Sequence, residues 1–187
     1  STGGFSTKNN SLAFWNDTPL IQYIVIFFML VAGSNFVLSY FAFTGKLQRI
    51  FQDEEWKTYL GFIIVFTFLS CTLLYYYQLP LGEGFAYPQV YGAVESYFRH
   101  SLFQVTALIT TTGFVSADLV TVFPLLTVLL FGLMFLGGSA GSTSGGIKIV
   151  RHLLMIRSGF LEFKRALHAN AIIQTRYNNK VVNEKIV

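Results

Sequence analysis

The sequence predicts an all-α membrane protein, built as helix–pore-helix–helix repeats around a central pore. Three observations predict it. Long apolar runs alternate with short charged loops. One apolar segment is too short to cross a bilayer, and a turn of small residues follows it. The same turn, followed by an equivalent helix, occurs twice within 187 residues.

Composition agrees. Hydrophobic residues make up 53% of the chain and charged residues 12%, whereas soluble domains carry about 25% charged residues. That is too little polar surface to coat a water-soluble globule. The 20 Phe and 10 Tyr residues suit lipid contact and interfacial belts. The single Cys71 lies in an apolar run, so it supplies no internal disulfide and reads as a small packing residue. The chain opens on Ser1-Thr2-Gly3-Gly4-Phe5, with no initiator Met or signal peptide, which reads as the interior of a longer protein.

The first apolar run, Pro19 to Phe43, holds no Asp, Glu, Lys or Arg and is long enough to cross as a tilted span. A charged stretch follows: Lys46, Arg49, Asp53, Glu54, Glu55 and Lys57. The second uncharged run, Thr58 to Gln78, ends in Tyr75-Tyr76-Tyr77, an interfacial aromatic belt. Leu79 to Tyr91 reads as a loop, broken by Pro80, Gly82, Gly84 and Pro88. Ala93 to Ile109 begins with Glu95, Arg99 and His100 and becomes apolar, so it reads as a re-entrant helix. Thr110-Thr111-Thr112-Gly113-Phe114 follows. A third apolar run, Leu119 to Leu136, meets the small-residue stretch Gly137 to Gly146, which cannot hold a helix because each glycine costs about 1 kcal/mol relative to alanine. A basic amphipathic segment, Ile147 to Leu167, and a polar tail from His168 complete the chain. Three parts result. Residues 1–57 hold a filter turn, an inner helix and a cytoplasmic loop; 58–167 hold one complete repeat; 168–187 form a linker toward a next repeat.

Charge sets the orientation. Of the 13 Lys and Arg residues, all but Lys8 and Arg99 fall in the Lys46–Lys57 stretch or from Lys148 onward. By the positive-inside rule those two regions are cytoplasmic. Asp17, Glu83, Glu95 and Asp118 then share the outer side, where they would concentrate cations.

The internal repeat carries the chemistry. Thr2-Gly3-Gly4-Phe5 matches Thr111-Thr112-Gly113-Phe114, and Met29-Leu30-Val31-Ala32-Gly33-Ser34 matches Met134-Phe135-Leu136-Gly137-Gly138-Ser139. Irregular backbone at membrane depth is tolerated only where protein buries it or water reaches it. A Thr-x-Gly-Phe turn behind a half-crossing helix satisfies that rule if its carbonyls replace the water shell of a cation. Glycine permits the backbone angles such carbonyls need, and Phe would pack behind the turn to brace it. The short helix aims the negative end of its dipole at the cation.

The stretch Gly137-Gly138-Ser139-Ala140-Gly141-Ser142-Thr143-Ser144-Gly145-Gly146 has two readings. One is a close helix-packing patch. The other is a mobile loop beneath the turns, pinned by few side chains, that obstructs an ion path, with Lys148 and Arg151 as nearby cations. A phosphate loop is excluded, because Ile147 stands where the lysine belongs and no strand precedes it. His100, His152 and His168 lack metal-ligand spacing, and no nucleophile–base constellation occurs, so no enzyme is expected.

Ser1-Thr2-Gly3-Gly4-Phe5-Ser6-Thr7, the Arg99-His100-Ser101-Leu102-Phe103-Gln104 segment leading into Thr-Thr-Thr-Gly-Phe, and Gly137 to Lys148 together resemble the TrkH/KtrB superfamily of potassium transporters, closest to its TrkH branch. The resemblance covers nearly the whole chain. It implies four potassium-channel-like repeats around one pore, with this chain supplying part of the second and all of the third. It implies that Thr2, Gly3, Gly4, Phe5, Thr111, Thr112, Gly113 and Phe114 form filter turns whose carbonyls hold potassium, and that residues 137–146 form the gating loop. Glycine at positions 4 and 113 implies potassium, since sodium-conducting members can carry serine at a filter glycine. The implied partners are a TrkA-like cytoplasmic nucleotide-binding ring, a second copy of the chain and membrane lipid, with no nucleic acid. The implied setting is the bacterial plasma membrane, and no cofactor is expected beyond the transported potassium. A non-conducting membrane scaffold with a basic docking tail is the competing reading, and it has no use for two filter turns.

Overall fold

A computed structural model describes residues 3–77, 90–119, 123–167, 176–177 and 180–181. Among them are seven helices: α1 (Pro19–Ala32), α2 (Phe36–Phe43), α3 (Leu47–Gln52), α4 (Glu54–Tyr76), α5 (Ala93–Ile109), α6 (Pro124–Leu133) and α7 (Ile149–Leu167). A 3-10 turn, Ser11–Trp15, precedes α1. Thr2, Glu83, most of the Leu79–Tyr91 loop and most of the tail lie outside the described residues. In the tail, the expected linker contains a small antiparallel ribbon, β1 (Arg176–Tyr177) against β2 (Lys180–Val181).

The helix α4 is long and apolar enough to cross a bilayer, and it starts before Thr58 because Asp53 caps it, accepting the Trp56 N–H at 2.9 Å. Its buried positions, Glu55, Tyr59, Ile63, Thr67, Ser70 and Leu74, recur at helical spacing on one stripe. The opposite face, with Ile64, Val65 and Phe68, is equally apolar yet exposed. A helix apolar all round suits lipid on its outer side.

The first apolar run is not one continuous helix. It breaks at Gly33, and α1 and α2 meet at 111°. The break is stabilised from both sides. Asn35 caps α2 by accepting the Val37 N–H at 2.9 Å, and the Gly33 carbonyl accepts Ser139 N–H at 2.9 Å. The Tyr59 hydroxyl donates to Leu30 O at 3.2 Å, pinning the last turn of α1. The third run is also shorter than expected. Its helix α6 starts only at Pro124, with Phe123 extended, and 120–122 fall outside the described residues. It is about 15 Å long at 1.5 Å per residue, half a bilayer core. Both inner helices stop before the small residues that the internal repeat aligns, but not at equivalent places: α1 ends at Ala32, which aligns with Gly137, whereas α6 ends at Leu133, which aligns with Phe28.

The helix α5 forms over Ala93–Ile109 as the sequence predicts, packed between α4 and α1. Phe103, Val105, Ala107 and Ile109 are buried, and so are Ser96, Ser101 and Thr106. Its end meets the two turns.

Candidate ion filter and the loop beneath it

The last turn of α5 closes with Thr111 N–H on Leu108 O at 3.0 Å and Thr112 N–H on Ala107 O at 2.9 Å. Thr111 itself sits in the left-handed region at φ 52°. That is a strained place for a β-branched residue, of the kind surrounding structure must hold and functional sites collect. Its hydroxyl oxygen accepts Gly145 N–H at 2.7 Å. The hydroxyls of Thr110 and Thr112 lie 2.8 Å apart.

The two Gly-Phe turns lie side by side, although more than a hundred residues separate them. Gly4 N–H donates to Thr112 O at 2.8 Å. Gly4 and Gly113 have φ of 70° and 75°, and a Cβ on Gly113 would stand 2.9 Å from Gly4 N and 3.1 Å from Gly4 Cα. Both left-handed geometry and close backbone approach therefore require glycine at the contact. Leu12 N–H and Ala13 N–H both donate to Val115 O, at 3.0 and 3.1 Å, continuing the seam away from the turns. Phe114 packs against the cluster of Ile26, Met29, Phe103 and Ala107, as a brace should. Phe5 does not brace its turn: it is 82% exposed among the described residues.

The Gly137–Gly146 stretch is far from unpinned. Gly137 N–H donates to Ile147 O at 2.9 Å and Ile149 N–H to Gly138 O at 3.2 Å, closing the base of the loop. Within it, Gly138 N–H donates to Ser144 Oγ at 2.8 Å. The Lys148 ammonium lies in the loop's concavity, donating to the carbonyls of Ser142 and Ser144. Outside contacts include Ser139 to Gly33, Gly145 to Thr111, and Ala140 N–H to Glu55 Oε1. The expectation of a freely rearranging run is thus corrected: small residues are needed here because neighbours approach closely, and a Cβ on Gly138 would meet Gly33 O at 2.6 Å. Arg151, by contrast, is exposed on the first turn of α7.

Two groups of residues make contacts that the sequence reading did not anticipate. The first centres on Arg99, which is fully buried on α5. Its Nε donates to Glu95 Oε1 at 2.9 Å, and its Nη1 donates to Gln22 Oε1 on α1. Tyr23 donates to the same Glu95 oxygen at 2.8 Å, and Gln22 Nε2 donates to Asn16 Oδ1 at 2.7 Å. Glu95 is thereby engaged within the protein and is not an open outer charge. The i,i+4 spacing of Glu95 and Arg99 was the available signal. The second is the acidic pair Glu54 and Glu55, taken below.

The sequence model of TrkH, described as a cation transport protein, matches residues 1–79 and 89–187. The chain belongs to the TrkH family.

Relatives of this TrkH-family chain include the Trk system potassium uptake protein TrkH of Escherichia coli K12, 34% identical, the match covering 99% of this chain and 36% of that protein. Trk system potassium uptake protein TrkG of the same strain is 28% identical over 100% of this chain and 36% of its own length. The crystal structure of the potassium transporter TrkH from Vibrio parahaemolyticus matches with a TM-score of 0.82 at 29% identity, over 99% of this chain and 38% of that one. The chain therefore spans about a third of the length of these relatives. It is an all-α membrane protein of the same fold as the matching part of that transporter.

Proposed function

We propose that this chain forms part of the second and all of the third of the four sectors of a potassium-uptake pore in the bacterial plasma membrane. The observation that carries the reading is the contact of the two Thr-x-Gly-Phe turns, glycine against glycine, at the C-terminal end of α5. Carbonyls around Gly3 to Phe5 and Thr111 to Phe114 would replace the water shell of the cation, and Thr2 would extend the set. Thr112 O already accepts one N–H, so only its second lone pair is left for an ion. The negative end of the α5 dipole would favour the cation at this point. The names of the relatives support potassium as cargo.

Residues 137–146 would be the gate. Gly145 touches Thr111 directly, so the loop lies against the inner end of the turn. Lys148 would hold the closed shape by occupying the loop's carbonyls with its own ammonium. A TrkA-like nucleotide-binding ring would act from the cytoplasmic side, through α7 and the basic residues Arg151, Arg157 and Lys164, on a dimeric pore.

Deleting Ser139 to Ser144 from the full-length gene product is expected to raise potassium flux severalfold and to weaken control by the cytoplasmic partner. Uptake in a potassium-requiring host, with and without that partner, measures both. A folded deletion protein with parental flux and parental regulation sinks the gate reading and leaves the helix-packing patch in its place.

A further inference from the structure

We infer that Glu55 is the positioning residue that latches the 137–146 loop, and that its neighbour Glu54 ties the same helix turn to α7. The inference rests on the reading of the loop as a gate. Glu55 stands in the first turn of α4 and is 3% exposed. Carboxylates are almost never so buried unless hydrogen-bonded, because removal from water penalises the charge. Its Oε1 accepts the Ala140 N–H, which lies 85 residues away in sequence.

The other contacts that hold the loop from outside use neutral groups. Ser139 N–H meets the Gly33 carbonyl, Phe36 N–H the Gly141 carbonyl, Gly145 N–H the Thr111 hydroxyl, and the Thr143 hydroxyl the Ala32 carbonyl. Among these contacts Glu55 alone brings a carboxyl group, whose hydrogen bonds are about twice as strong as neutral ones in its ionised form. The bond exists only with the loop in place. It therefore supplies the differential contact that a two-state element needs.

Glu54, the preceding residue, accepts from Arg157 Nη1 on α7 at 2.7 Å. The helix α7 is what leaves the loop on the cytoplasmic side. Two consecutive acids on one helix turn thus hold the loop and the helix that follows it. A partner that shifts α7 pulls on the residue next to the latch.

Amide hydrogen exchange of the full-length protein in lipid nanodiscs tests this, compared among parent, Glu55→Ala and Glu55→Gln. Removing the acceptor is expected to speed exchange over 137–146 about tenfold, and a neutral amide acceptor about threefold, with α5 unchanged. A loop exchanging at the parental rate overturns the latch. If Glu55→Ala does not fold, Glu55→Gln decides by the same criterion. Faster exchange spread equally over α4, α5 and the loop also overturns it, because the effect is then global. Cation flux on the same samples separates the latch from the gate. Faster loop exchange with raised flux upholds both; faster loop exchange at parental flux upholds the latch and contradicts the gate.

Discussion

Gly113→Ser in the full-length gene product is expected to cut the potassium-over-sodium uptake ratio by about tenfold or more, on the scale where 1.4 kcal/mol is a factor of ten. Two costs act together. The backbone at Gly113 has φ 75°, and left-handed geometry costs a side-chain-bearing residue roughly 1–2 kcal/mol. The new Cβ also arrives 2.9 Å from Gly4 N, closer than ordinary van der Waals contact. The second cost is harder to relieve, because the obstacle is the backbone of the other turn and no side chain can swing aside. Gly4 N–H must then move from Thr112 O, which it holds at 2.8 Å, and both turns change shape at once. Tracer uptake of rubidium and sodium measures the ratio. A folded variant with an unchanged ratio removes Gly113 from the filter.

The second large effect concerns Arg99. Arg99→Met is expected to destabilise the protein by about 3 kcal/mol, the lower end of the range for breaking a buried ion pair. The lower end applies because Glu95, at 19% exposure, regains some water when its partner leaves, whereas Arg99 has none to lose. Arg99 also bonds Gln22, so it joins α5 of one repeat to α1 of the other. Losing it loosens the frame that sets the two turns against each other. Thermal unfolding in detergent checks the stability, and a midpoint within the error of the parent contradicts the assignment. Arg99→Lys is expected to recover only part of the loss, since an ammonium cannot reproduce the guanidinium fork between Glu95 and Gln22.

Much of the fold was legible where local signals agreed. The helix α5 was read to its ends because its polar start, its apolar finish and the Thr-Thr-Thr-Gly-Phe turn after it all point the same way. The repeated Thr-x-Gly-Phe turns were legible because both copies stand before an inner helix. The break at Gly33 was not, because its cause is tertiary: Ser139 and Tyr59 supply the partners that let α1 stop. Two cues were present and outweighed by hydropathy. Asn35 is a good cap, and Gly33-Ser34 aligns with Gly138-Ser139, where a break was already expected. Glu55 was beyond reach, since its partner is a backbone amide far away in sequence. Small-residue composition suggested looseness at residues 137–146, whereas the same composition serves close packing and dense hydrogen bonding.

The most direct test of the paired turns as a potassium filter is anomalous scattering from thallium or rubidium soaked into crystals of the full-length protein. The predicted result is a peak within direct oxygen-coordination distance of carbonyls from both the Gly4 and the Gly113 turns. Well-ordered turns with no peak between them, at ion concentrations that support uptake, contradict it.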